Sequence, residues 1–371
     1  MPKKIICTVT NDLTYDQRMQ RICTSLQKNK FDVQLIGRAV STSKPLSNMV
    51  FSQYRLNCFF NKGILFYAEF NLRLLLFLLF TSFDIVCGCD LDTLPAAFIA
   101  AKLKRKKVVY DAHEYFPESP ELIGKPFKQS VWLLIEKWIV PNVDAVYTVT
   151  NSIAQLFNKK YNVNAKLVRN FPFKNNPKSY EQKAAKNIEA STPILLYQGA
   201  VNVGRGINEM LLAMLKIDNA VFYIAGDGDE YNAIQSNIQQ LQLENKVKLL
   251  GKKTPEALKL ITKQAYIGIN LLENRGLSYY YSLGNKTFDY IQAGIPQVLI
   301  GFPEYIALNQ QYEIGVVVKE LTIEQVIQAI QQLLQNKELY KRLQNNCQKV
   351  RNELCWEKEE KYLLEIYNRL K

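Results

Sequence analysis

The chain has 371 residues, 48% of them hydrophobic, with seven cysteines, a single histidine and a net charge of +13. That length exceeds what one hydrophobic core organises and fits two domains of common size. An odd cysteine count without any CxxC pair argues against a disulfide scaffold and against structural zinc.

The charge is uneven. Residues 1–175 hold 24 Lys and Arg against 13 Asp and Glu, or +11, which leaves 23 against 21, or +2, for residues 176–371. Such asymmetry points to an anionic partner. Zinc-finger spacing, an RNP signature and a basic recognition helix are all missing, so the expected partner is an anionic membrane surface or an acidic acceptor, and not nucleic acid.

MPKK is followed by IICTVTND, whose apolar run breaks too soon for a signal peptide, and a cytoplasmic location is expected. KIICTVT reads as a strand, TYDQRMQRICTSLQKN as a helix and FDVQLIG as a second strand. The stretch Ile64–Phe80, ILFYAEFNLRLLLFLLF, is more apolar than an ordinary surface helix, but Glu69, Asn71 and Arg73 leave too short an uninterrupted run to span a bilayer. Its expected place is the core, between the sheet and a neighbour. The alternative is an interfacial helix in a headgroup layer, which the basic run KLKRKK at 102–107 would assist. FDIVCGC, KVVYDA and DAVYTVT follow as further short apolar strands between helical patterns, which describes a parallel α/β sheet.

Apolar residues thin out after Phe173, and residues 176–192 read as a linker between an N-terminal domain, 1–175, and a second α/β domain, 193–350. In the second domain PILLYQG, AVFYIAG, KVKLLG, AYIGINLL and PQVLIG are the strands. The tail from Thr322 is helical, and its last helix, 351–371, has Tyr362, Leu363, Ile366, Tyr367 and Leu370 on one face.

Parallel sheets bind ligands beyond the carboxyl ends of their strands. Asn11 and Asp12 follow KIICTVT, Asp90 follows FDIVCGC, His113 follows KVVYDA, and Gly199–Arg205 follow PILLYQG. These positions share one cleft if the two halves face each other. A lone histidine is by default a structural residue, but one at a strand end among Asp111 and Glu114 is a candidate for chemistry.

DLDTLPAAFIAAKLKRKKVVYDAHEYFPE, YQGAVNVGRGINEMLLAM, VFYIAGDGDE and YYYSLGNKTFDYIQAGIP, in that order, resemble the family 4 glycosyltransferases of bacterial polysaccharide type. The resemblance implies the GT-B fold: two Rossmann-like domains facing each other across a cleft, with the C-terminal helices packing back toward the N-terminal domain. It also implies a metal-independent, retaining enzyme of hexosyltransferase type without a cofactor. Its C-terminal half would bind a nucleotide-diphosphate sugar donor and its N-terminal half a glycan or lipid-linked acceptor, at the inner face of the membrane.

In GAVNVGRG, Gly199, Gly204 and Gly206 let backbone approach an anion, and Arg205 opens the next helix where a diphosphate would lie. A solvated arginine on an ordinary turn is the plainer alternative. The family usually has lysine at Arg205 and arginine at Ala200. In YSLGNKTFDYIQAGIP, Asn285 breaks the chain, Lys286 neutralises the diphosphate and Asp289 accepts from ribose hydroxyls, or else Lys286 and Asp289 form an exposed ion pair. The family's first acidic residue is replaced by Tyr281, and Glu273 is the candidate to take its place at the sugar.

The resemblance places His113 against a sugar hydroxyl, positioning and polarising rather than acting as a base. Asp111 and Glu114 are candidates to orient it. Arg205 and Lys286 would stabilise the leaving group. Acceptor contacts are expected from Asn11, Asp16, Arg18 and Asp90. Asp227 and Asp229 read as a cap rather than metal ligands. Other readings are a nucleotide-sugar epimerase of the same fold, which would need no basic half, and a non-catalytic nucleotide-sugar binding protein, which Tyr281 and Ala200 would fit.

Overall fold

The computed structural model describes residues 2–174 and 192–370; of the expected linker, only Thr192 lies among them. The chain forms two compact units. The first is Met1–Asn170 with Gly276–Ser278 and Glu359–Lys371, and the second is Phe171–Arg275 with Tyr279–Lys358.

The first unit is built on seven parallel strands: β1 (Lys4–Thr8), β2 (Asp32–Arg38), β3 (Ser52–Leu56), β4 (Ile85–Cys89), β5 (Lys107–Ala112), β6 (Ala145–Thr148) and β7 (Lys166–Leu167). They lie in the order β3-β2-β1-β4-β5-β6-β7. Every residue of β4 is buried, as expected for an inner strand covered by helices on both faces. Registers such as Cys7 with Cys87 and Cys89 with Asp111 align the carboxyl ends of β1, β4 and β5. The helices are α1 (Gln17–Lys28), α2 (Gly63–Phe80), α3 (Leu94–Lys104), α4 (Pro126–Ile139) and α5 (Asn151–Tyr161). Asp16 caps α1 by accepting from the Met19 N–H, and Met19, Ile22, Cys23 and Leu26 put one face of it into the core.

The second unit repeats the order with β8 (Ile194–Gln198), β9 (Val221–Ala225), β10 (Val247–Leu249), β11 (Ile267–Asn270), β12 (Gln297–Ile300) and β13 (Gly315–Val318), arranged β10-β9-β8-β11-β12-β13. Numbered within its own unit, each sheet reads third, second, first, fourth, fifth, sixth, the Rossmann order, and the first adds β7 as a seventh strand at its edge. Its helices are α6 (Ile207–Met214), α7 (Tyr231–Gln240), α8 (Pro255–Gln264), the single turn α9 (Leu277–Tyr280), whose first two residues belong to the first unit, α10 (Asn285–Ala293), α11 (Pro303–Tyr312), α12 (Ile323–Gln335) and α13 (Lys337–Val350).

The last helix, α14 (Trp356–Arg369), enters the first unit from Glu359 onward. There Leu363 and Tyr367 are buried, Tyr367 meets Phe31 and Tyr147 edge-on, and Glu359 pairs with Arg169 at 2.9 Å. Tyr362, expected on the same face, is exposed. All seven cysteines are free.

Two expectations need correction. Helix α2 is not a core helix, since only Phe66, Phe70, Leu74 and Leu78 of its eighteen residues are buried. The basic run at 102–107 is not a free patch either. The Lys104 ammonium donates to the carbonyls of Leu78, Leu79 and Thr81 at the end of α2, while Lys106 and Lys107 pair with Asp84 and Asp144 at 2.8 Å. Lysine at a helix C-terminus satisfies carbonyls that the helix itself leaves unbonded.

Candidate active site

In the first unit the strand order reverses between β1 and β4, and the loops after β1, β4 and β5 converge there. Asp90 follows β4 in the left-handed region, φ +58°, a conformation that aspartate tolerates better than most residues. This turns its carboxylate onto His113: Oδ1 accepts the His113 backbone N–H at 2.8 Å, and Oδ2 lies 3.3 Å from Nδ1. The other ring nitrogen, Nε2, lies 3.1 Å from Asp111 Oδ2. Asp111 Oδ1 in turn accepts from Arg18 Nη2 at 2.8 Å, and Arg18 Nη1 donates to the Val168 carbonyl at 3.1 Å. Arg18 and Asp111 are buried.

Two carboxylates and two cations therefore alternate in one chain, Asp90, His113, Asp111, Arg18. Burial opposes charge on His113, but Asp90 and Asp111 together outweigh it and hold its pKa well above the ordinary value. Burial likewise opposes charge on Asp111, and Arg18 and then His113 overcome it, bringing the carboxyl down to about 2. Both ring nitrogens face carboxylate oxygens, which favours the imidazolium, a form with no lone pair to act as a base.

Two neighbouring carboxyl groups move the other way. Burial and then the Asp90 charge push Asp92, which accepts from Thr10 Oγ1 at 2.7 Å, up to about 7. The same two causes push Glu114, which accepts from Ser278 Oγ at 2.9 Å, up to about 7. Cys89, Asp111 and His113 offer atoms within 4.8 Å of one another that could ligate a metal. The positive charge such a group needs is already supplied by Arg18 on Asp111, which favours a salt-bridged structure there.

In the second unit the reversal lies between β8 and β11. Gly206, φ +68°, is the N-cap of α6, and a Cβ on it would come 2.6 Å from Leu271 Cβ, so no other residue fits that turn without displacement. Arg205 precedes it with its guanidinium 4.6 Å from the Tyr279 ring centroid. Lys286, in the first turn of α10, has Nζ 3.7 Å from the Tyr197 ring centroid. The Tyr197 hydroxyl donates to the Ala200 carbonyl at 2.6 Å, which fixes this platform to the loop after β8. Lys286 Nζ and Arg205 Nε are buried and have no hydrogen-bond partner among the described residues. Burial, and secondarily Arg205, lowers the Lys286 pKa well below its ordinary value.

Asp289 Oδ2 accepts from Gln198 Nε2 at 2.9 Å, and Gln198 Oε1 accepts from Thr262 Oγ1 at 2.7 Å. Glu273 donates its N–H to the Gly204 carbonyl at 2.9 Å and pairs with Arg275 at 2.6 Å. Glu273, Gly204, Arg205 and Gly206 line a common cavity of about 180 Å³. A larger one, about 530 Å³, lies against β6, β7 and α14 and includes none of the expected site residues.

The family model described as Glycosyl transferases group 1 matches residues 179–350, and the one described as Glycosyltransferase Family 4 matches residues 17–171. The chain belongs to the family 4 glycosyltransferases. No curated protein matches it in sequence. Among solved structures it is similar to a sucrose-phosphate synthase from Thermosynechococcus elongatus, at 16% identity and TM-score 0.80, covering 99% of each chain. It is also similar to Anabaena HepE in complex with UDP and glucose, at 13% identity and TM-score 0.77, covering 99% of this chain and 100% of that one. A third is WaaG, a glycosyltransferase involved in lipopolysaccharide biosynthesis, at 14% identity and TM-score 0.73, covering 96% and 98%. At these identities the likeness is one of fold, GT-B with two Rossmann-like domains.

On this glycosyltransferase scaffold the expected residues separate. Gly199, Arg205, Glu273, Asn285, Lys286 and Asp289 all stand at the reversal of the second sheet or at the start of α10. Lys286 does not form an ion pair with Asp289, whose carboxylate is engaged by Gln198. Arg18 is corrected: it sits in α1, buried on Asp111, and is closed to an acceptor. Asp90, expected at the acceptor, instead clamps His113, while Asp16 caps α1 and accepts from Asn11 Nδ2 at 2.6 Å. Glu114 turns to Ser278, leaving Asp111 and Asp90 to orient the histidine. Asp227 accepts from the Gly228 N–H and helix α7 is preceded by Glu230, so neither aspartate of that turn caps it. Asp92 was missed; its only sequence signal is its place two residues after Asp90.

Proposed function

We propose that this glycosyltransferase is a retaining, hexosyltransferase-type enzyme that moves a sugar from a nucleoside-diphosphate donor to a glycan or lipid-linked acceptor in polysaccharide biosynthesis. It needs no metal or cofactor and works at the inner, cytoplasmic face of an anionic membrane. One observation carries the donor assignment: two adjacent cations, Arg205 and Lys286, rest on tyrosine faces beside the starts of α6 and α10, with Arg205 Nε and Lys286 Nζ buried and without a hydrogen-bond partner among the described residues. Burying like charges together costs free energy that a diphosphate would return. That HepE is described in complex with UDP and glucose agrees with such a donor.

In the reaction the bond from the anomeric carbon to the diphosphate oxygen breaks and a bond to the acceptor oxygen forms on the same face. The acceptor proton passes to the departing phosphate oxygen. Arg205 and Lys286 receive the growing negative charge, His113, held at both ring nitrogens by Asp90 and Asp111, polarises a sugar hydroxyl through its charge, and Asp289 and Glu273 hold donor hydroxyls.

The test is incubation of the pure protein with a panel of nucleotide sugars, followed by NMR of the product anomer. Retained configuration, with turnover unchanged by chelator, is expected; inversion or strict metal dependence would refute the mechanism. Arg205→Ala and Lys286→Ala should each weaken nucleoside-diphosphate binding by about 1.5–3 kcal/mol in calorimetry. Unchanged affinity in both would remove the diphosphate from this place.

A further inference from the structure

Helix α2 buries Phe66, Phe70, Leu74 and Leu78, one residue per turn. The positions two residues further along, Ala68, Leu72, Leu76 and Phe80, lie about 200° round the helix. All four are exposed, Leu72 at 59% and Phe80 at 89%. A surface helix ordinarily presents charged side chains there; α2 is apolar on both sides.

Helix α4 repeats the anomaly. Phe127, Val131, Leu134 and Trp138, spaced four, three and four apart, form one face, and it is the exposed one: Phe127 is 75%, Leu134 69% and Trp138 57% accessible. Tyr67 of α2 meets Trp132 of α4 edge-on at 5.4 Å, and Phe98 of α3 meets Trp138 at 5.4 Å. The three helices therefore form a single surface of the first unit, to which α3 adds exposed Leu103. Exposed charges along these helices and their flanks are basic at Lys62, Lys102, Arg105, Lys125, Lys128 and Lys137, against Glu121.

We infer that the α2–α4 face is a membrane-docking surface, lying in the headgroup layer of an anionic bilayer with Leu72, Leu76, Leu134 and Trp138 reaching the acyl boundary. Broad apolar surface ringed by lysine is the signature of a helix pair that rests on a membrane. Among the described residues α2 is also the one helix long and apolar enough to cross a bilayer. Crossing would tear its buried stripe from the core and part β3 from β4, which belong to one sheet, and Lys104 fastens its last carbonyls to α3. A second copy of the chain is a poorer occupant, because an isologous contact would set this lysine rim against itself.

The inference deepens the lipid-linked reading of the acceptor, but its test does not pass through transfer. The full-length protein is titrated with vesicles of phosphatidylcholine alone or mixed with phosphatidylglycerol, while tryptophan emission is followed. Binding to the mixed vesicles, weakened by salt, is expected, with quenching by brominated acyl chains that Trp138→Phe largely removes. Leu72→Ser with Leu76→Ser should lower vesicle affinity roughly tenfold or more. Lys125→Gln, Lys128→Gln and Lys137→Gln should each lower it roughly fivefold at low salt. Unfolding temperature and nucleoside-diphosphate affinity report whether these outward-facing variants keep the fold. Wild-type protein that ignores vesicles yet transfers sugar to a soluble acceptor would overturn the docking surface and leave the transferase reading standing. A lipid-free dimer dissolved by Leu72→Ser and Leu76→Ser would assign the face to a second copy instead.

Discussion

The two Rossmann units treat their buried cations in opposite ways. In the first, Arg18 and His113 alternate with Asp111 and Asp90, and every charge has a partner within 3.3 Å. In the second, Lys286 and Arg205 sit on aromatic rings, burial and then the Arg205 charge disfavour the ammonium, and among the described residues Lys286 Nζ has no hydrogen-bond partner. A closed charge network fixes a side chain in one orientation before substrate arrives, whereas an open one stores unfavourable energy that an anionic ligand releases. The first arrangement suits a positioning group and the second a binding site for a diphosphate.

The contrast is broken most directly by removing charge and measuring stability. Asp111→Asn leaves Arg18 buried without its counter-charge, a class of change that costs about 3–5 kcal/mol. Lys286→Met removes a cation already lacking a partner, so it should leave the unliganded protein unchanged or more stable. Chemical denaturation of both variants checks the pair. A large loss in Lys286→Met would mean that this lysine is satisfied in the folded protein, and the open-site argument would fail.

Activity sharpens the comparison next. His113→Ala should lower turnover by roughly a hundredfold or more, the scale of losing one preorganised electrostatic group at a reacting centre. Its affinity for a free nucleoside diphosphate should stay within about twofold, since the histidine is assigned to the sugar. Steady-state kinetics beside calorimetry separates these effects. A matching fall in nucleoside-diphosphate binding would make His113 structural.

How far the residues alone could lead is clearest from these same positions. His113 stood out because it is the single histidine and follows a strand, and Lys286 because glycine and asparagine mark a helix start. The partners were hidden. Arg18 and Asp111 are 93 residues apart, and nothing local distinguishes a buried arginine in an amphipathic helix from one that greets an acceptor. Asp90 reads as a loop acid until its positive φ turns it onto the histidine.

Both parallel sheets were foreseeable from the apolar runs. The strands β3, with its alternating exposure, and β7, with two residues, gave too little apolar signal, and GVVV at β13 is short enough to vanish beside its helices. Helix α2 was misplaced in the core for a physical reason. A helix apolar on every side has no polar face from which to infer which way it turns.

The smallest expected effect is a proton count, and the two units should give opposite signs. His113 has a folded pKa above its unfolded value of about 6.5, so between the two the folded state binds more protons and stability falls as pH rises. The contribution is whole below about 6.5 and is lost through the raised pKa. Lys286 has a folded pKa below its unfolded value of about 10.4. There the unfolded state binds more protons, and stability recovers as pH rises. A bound diphosphate should reverse the Lys286 shift, because its charge favours the ammonium. Near pH 8 phosphate oxygens with pKa about 6 are already ionised, so proton uptake on binding reports the protein. Calorimetry of nucleoside-diphosphate binding in buffers of different ionisation enthalpy should show net proton uptake, absent in Lys286→Met and retained in His113→Gln. Uptake that survives Lys286→Met would place the responsive group elsewhere and remove the proposed difference between the two units.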